Sequence, residues 1–75
     1  MILNPKVGDV VRFLDPHDVR LGDTDPWYTH SYDLRMMELV GKTDTIVAVS
    51  IREKREYISV DKNQLSWIPH FLERV

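Results

Sequence analysis

The sequence predicts a mainly β protein. The expected form is a small antiparallel barrel of about five short strands, with one short helix and a long loop after the first strand. Three observations carry that expectation. Short runs rich in β-branched residues recur along the chain ("VVRF", "TIVAVSI", "YISV") and are separated by turn chemistry. The connections between most of them are too short for parallel crossovers, so the strands pair antiparallel. The chain has 75 residues, and strands this short bury their apolar faces most economically when the sheet curls on itself.

The first strand is expected over residues 9–14. Gly8 and Asp9 supply the turn before it, and Val11 and Phe13 share one face, with Val10 and Arg12 on the other. Residues 15–31 follow, with two Asp-Pro pairs, a Gly and no period of 2 or 3.6, and read as a long irregular loop. "SYDLRMMELVGK" then predicts a helix of about two to three turns. Ser31 is its N-cap, Asp33 sits in its first turn, Tyr32, Met36, Leu39 and Val40 form one apolar face, and Gly41 is the left-handed residue past its end.

"TDTIVAVSI", residues 43–51, is the strongest strand signal. Its near-continuous apolar run predicts a central strand covered on both faces. "REKRE" reads as a charged hairpin tip, "YISV" as the returning strand with Ile58 and Val60 on one face, and "DKNQ" as a tight turn. "LSWI" predicts a further short strand that Pro69 stops. "PHFL" predicts a single 3-10 turn, and "ERV" a last edge strand. The dense apolar end "LSWIPHFLERV" is therefore expected to close the core rather than bind a ligand, with Trp67 mostly buried.

The arrangement resembles SH3-like small barrels, and within them a group of small phage and prophage proteins, mostly of unassigned function. The matching residues are Gly8, Asp9 and Val11 at the first strand, Met37 with Leu39 to Lys42 at the helix end, and Trp67 to Glu73 at the terminus. The resemblance covers most of the chain outside the loop. It implies an SH3-like fold in a single domain spanning residues 1–75. For a phage-encoded chain it also implies a place in the host cytoplasm.

Composition limits the functions. Hydrophobic residues are 43% and charged residues 29%, as in ordinary globular domains. There is no cysteine, which excludes disulfides, thiolate zinc sites and a thiol nucleophile, and fits a cytoplasmic protein. The opening "MILNPKVGD" has neither a basic n-region nor an apolar run of signal length. No stretch approaches the roughly 18 apolar residues of a membrane helix, so no membrane partner is expected. A net charge of −2 lacks the basic surplus of a non-specific nucleic-acid binder.

Chemistry-bearing constellations are sparse. Asp15, His17, Asp18, Asp23, Asp25, His30 and Asp33 lie in or beside the loop, but without H-x-x-H or H-E-x-x-H spacing. Acidic loop residues are commonplace turn formers, so no metal and no cofactor is expected. Serines and histidines are present, yet no Ser stands in a G-x-S-x-G elbow and the three glycines form no phosphate cradle. No enzyme activity and no catalytic residues are expected.

The expected function is a non-catalytic, regulatory protein-interaction module. In a phage setting its partner is a host or phage protein. Its candidate contacts are Asp25, Trp27, Tyr28 and Met37: loop aromatics beside an acid, and a methionine off the helix's core stripe. Trp27 is expected partly exposed. An alternative is a nucleic-acid rim of Arg52, Lys54, Arg55 and Lys62, although the interleaved Glu53 and Glu56 suit a solvated hairpin tip. A further alternative is a small structural subunit that assembles through a sheet edge.

Overall fold

A computed structural model of the chain describes residues 1–15 and 34–75. The described residues form β1 (Val10–Phe13), α1 (Leu34–Met37), β2 (Thr43–Arg52), β3 (Arg55–Val60), β4 (Ser66–Trp67), a 3-10 turn (Pro69–Phe71) and β5 (Leu72–Arg74). The five strands make one antiparallel sheet in the order β4-β3-β2-β1-β5. The described residues are thus mainly β, and β5 lies at an edge beside β1 as "ERV" suggested.

The entry to β1 is built by local bonds. Gly8 adopts φ 97°, where a side chain is strained. The Asp9 N–H donates to the Lys6 carbonyl, and the Lys6 N–H donates back to Asp9 Oδ2 at 3.0 Å. Val11 and Phe13 are buried while Val10 and Arg12 are exposed, the alternation a half-buried strand requires.

Among the described residues the helix ends earlier than its apolar period suggested. α1 covers Leu34–Met37, and i→i+3 turn bonds from Leu39, Val40 and Lys42 then bring the chain to Gly41, which takes φ 82° as expected of the residue past the helix end. The helix stops because the next residues enter the sheet: Gly41 donates to the Phe13 carbonyl, and Phe13 donates to the Lys42 carbonyl. Met36 is buried and Leu39 packs beside the core, so this part of the predicted face survives in the turn. Ser31, Tyr32 and Asp33 lie outside the described residues.

β2 is central but not covered on both faces. Val47 is 48% exposed and Ile51 71% exposed. The apolar run has a different cause. Ile46 pairs with Val60, but Ala48 pairs with Ser59 and Val49 with Ile58, so Val47 is an extra residue in a β-bulge. Strict alternation from Ile46 would have turned Ala48 and Ser50 inward. The bulge instead turns Val49 inward against the core and leaves Ala48 and Ser50 outside. Beyond it the strand overhangs β1, which pairs only with Thr43–Thr45. Ile51 therefore gains no cover from β1.

The sheet also curls. β4 and β1 are separated by β3 and β2, which in a flat sheet places them about 14 Å apart. Yet the Phe13 and Trp67 rings stack with centroids 4.2 Å apart. The inner faces of β1 and β4 thus meet across the core. Trp67, Ile68, Phe71 and Leu72 are all buried, and Trp67 and Phe71 are the largest fully buried side chains. The chain's last segment is core material, as its pattern suggested. Asn63 fixes its approach: its Oδ1 accepts from the Leu65 N–H at 3.0 Å and from Trp67 Nε1 at 3.1 Å. Asp44, only 4% exposed, ties the β3–β4 turn to β2, accepting from the Thr45 and Lys62 backbone N–H groups at 2.7 and 2.9 Å.

Candidate functional site

The β2–β3 hairpin turns in two residues, Glu53 and Lys54, with Arg52 paired to Arg55. Both turn residues have positive φ, 53° and 65°. That is the mirror-image turn that suits a right-twisted hairpin, and it usually carries Asn-Gly. A side chain at such a φ costs roughly 1–2 kcal/mol per residue, so this tip holds two charged side chains at a conformational cost. Below it, the Arg52 guanidinium lies over the Tyr57 ring, 4.5 Å from its centroid.

A cleft of about 340 Å³ runs beside the tip. Lys54, Arg55 and Glu56 form one wall, Ile68, Pro69 and His70 of the 3-10 turn another, and residues 1–4 the third. Its size falls within the range of ligand clefts. The N-terminal wall is held by a bond from the Ile2 N–H to the Pro69 carbonyl at 3.1 Å. It is also held by Arg74, whose Nη2 donates to the carbonyls of Leu3 and Asn4 and to Asp9 Oδ2. The Arg74 hydrogen bond, followed by the Lys6 backbone N–H, holds the Asp9 carboxyl below its usual range. Leu3 is 63% exposed beside this cleft. Apolar side chains and cations therefore share one concave surface.

The sequence-predicted residues fall in separate places. Arg52, Lys54 and Arg55 come together at the hairpin tip. Lys62 does not join them: it follows β3 at its far end, roughly 20 Å along the strand from the tip. Met37 ends α1 and is 40% exposed, consistent with a position off the core stripe. Asp25, Trp27 and Tyr28 lie outside the described residues, as do His17 and His30. Among the described residues, no three His, Asp or Glu side chains come together as a metal would need. No helix among them is long and apolar enough to cross a membrane.

Charge is also divided unevenly. Residues 16–33 hold four of the chain's twelve acidic residues and one of its ten basic residues. The described residues therefore carry nine cations against eight carboxylates, and the acidic surplus belongs to residues 16–33. The cleft itself was not legible in the sequence, because its three walls come from distant segments. The backbone of Glu53 and Lys54 had a faint signal: two residues between strands of matched register leave only a mirror-image turn.

No family model matches the chain, and comparisons with curated proteins and with solved structures find no match.

Proposed function

We propose that this chain is a small SH3-like barrel acting as a non-catalytic protein-interaction module, and that its hairpin-tip cleft is one docking surface. The observation that carries the reading is the turn of Glu53 and Lys54. Backbone outliers concentrate at functional sites, and here an Asn-Gly turn would be less strained. Retaining Lys54 places a cation on the wall of a cleft that Ile2, Leu3 and Ile68 also line, the mixed surface that protein interfaces use. The barrel reading is supported by the curl that brings Phe13 against Trp67 and by the 3-10 turn between β4 and β5. A cytoplasmic setting is supported by the absence of cysteine, and a phage or host protein as partner follows from the sequence resemblance. Asp25, Trp27, Tyr28 and Met37 remain the proposed second set of contacts.

The test separates stability from binding. Glu53→Asn with Lys54→Gly relieves the turn and should raise stability by about 1 kcal/mol. The same change should reduce recovery of a specific partner in affinity capture from the native cell, as should Arg55→Glu. Equal recovery of that partner by wild type and both variants would remove the tip cleft as a docking surface. Recovery of nucleic acid instead, with affinity falling steeply in salt, would favour a phosphate-binding barrel.

A further inference from the structure

A second cleft, of about 420 Å³, lies away from the hairpin tip. It is lined by Phe13 of β1, by Leu39 and residues 41–44, and by Lys62 and Asn63 of the β3–β4 turn. Asn63 carries an unusual feature. Its Oδ1 faces two donors, the Leu65 N–H and Trp67 Nε1, which fixes the orientation of the amide. Its Nδ2 is then turned to the other side, where it is buried and has no acceptor among the described residues. Buried polar groups are nearly always paired, and an unpaired donor carries a penalty that an acceptor relieves.

We infer that this cleft binds the carboxylate of a ligand with an apolar body, with Asn63 Nδ2 as hydrogen-bond donor and Lys42 and Lys62 as counter-charges. The inference goes beyond the hairpin-tip reading and does not depend on it. Leu39, half-buried beside the core, supplies apolar wall for the body of the ligand. The lysines' two ammonium groups stand against one carboxylate, Asp44, leaving a single net positive charge. Both Asp44 oxygens already accept backbone N–H groups, one from Thr45 and one from Lys62 itself. A single negative charge matches this balance better than a phosphate dianion. The carboxylate can belong to a free acid or to the C-terminus of a peptide chain.

Nitrogen–proton correlation spectra of the full chain test this, because Asn63 Nδ2 and Trp67 Nε1 give their own signals. The probes are 3-phenylpropionate, its neutral amide, inorganic phosphate, and a short peptide ending in phenylalanine with a free carboxylate. 3-Phenylpropionate should shift the Asn63 side-chain pair saturably, with a Kd on the order of millimolar. The amide should bind at least about tenfold more weakly, as loss of a charge-assisted hydrogen bond requires. Tighter binding of the peptide assigns a chain terminus as the source, and tighter binding of the acid assigns a free ligand. Asn63→Asp keeps both accepted hydrogen bonds, removes the donor, and should abolish the shift at Trp67 Nε1. Lys62→Gln, at an exposed position, should weaken binding without altering the melting temperature. No saturable shift, equal affinity for acid and amide, a phosphate response stronger than the carboxylate response, or unchanged binding by Lys62→Gln would each overturn the inference.

Discussion

The stack of Phe13 on Trp67 is the contact by which a five-stranded sheet becomes a curled one. Its coupling free energy is therefore a direct measure of the fold. A double-mutant cycle with Phe13→Leu, Trp67→Leu and the double variant isolates it. Leucine is chosen because truncation of such a residue to alanine costs about 3–5 kcal/mol, and two such losses rival the whole stability. That stability is about 4–11 kcal/mol for a chain of this length, scaling the usual per-residue range. The rings are 4.2 Å apart with 23° between their planes, a stacked pair, and such pairs add about 0.5–1.5 kcal/mol beyond area burial. Chemical denaturation followed by far-UV circular dichroism gives the four stabilities. The expected coupling is about 1 kcal/mol, with the double variant less destabilised than the sum of the singles. In a flat sheet with strands β4 and β1 about 14 Å apart the two losses would add. Additivity within error would refute the curl and, with it, the proposed barrel.

Three further outcomes follow from the same geometry. Truncation after Asn63 removes the buried Trp67, Ile68, Phe71 and Leu72, worth about 6–12 kcal/mol at the usual value per side chain, so the shortened chain should show no cooperative thermal transition. Val47→Ala should change stability by no more than about 0.5 kcal/mol, because Val47 is half-exposed. Deletion of Val47 should also leave a folded chain, because Ile46, Ala48 and Val49 then alternate in, out and in against Val60, Ser59 and Ile58, whereas in an unbulged strand the same deletion would turn Val49 out of the core; loss of the cooperative melting transition on deletion would refute the bulge. Asp9 has a lowered folded-state pKa, so its contribution is present above the ordinary value of 3.8 and is lost as pH falls through the folded value. Asp9→Asn should accordingly be less stable than wild type at neutral pH and converge with it in strong acid, and a constant difference across that range would contradict the Arg74 contact.

Much of the fold was legible because its signals are local. Turn chemistry at Gly8, the left-handed residue at Gly41, the strand break at Pro69 and the alternation of Val11 with Phe13 each depend on near neighbours. The burial of Trp67 was legible for a related reason: a chain this small has few large apolar residues, and its core needs them. The bulge at Val47 was not legible. An unbroken apolar run is equally consistent with a doubly covered strand, and only pairing with β3 shows where the extra residue sits. The separation of Lys62 from Lys54 and Arg55 was hidden likewise, since composition groups cations that a strand's length keeps apart. The unpaired donor of Asn63 depends on two partners that arrive from later in the chain.

The sequence alone determined the kinds and order of the elements, since backbone torsion preferences and apolar period act over a few residues. Tertiary structure decided which faces those elements bury and which side chains meet. The register of β2 against β3 chose Val49 over Ala48 for the core, and the curl of the sheet brought Phe13 to Trp67 across two intervening strands. Both clefts exist only after those choices, because their walls are drawn from segments that neither local torsion nor short-range pattern connects.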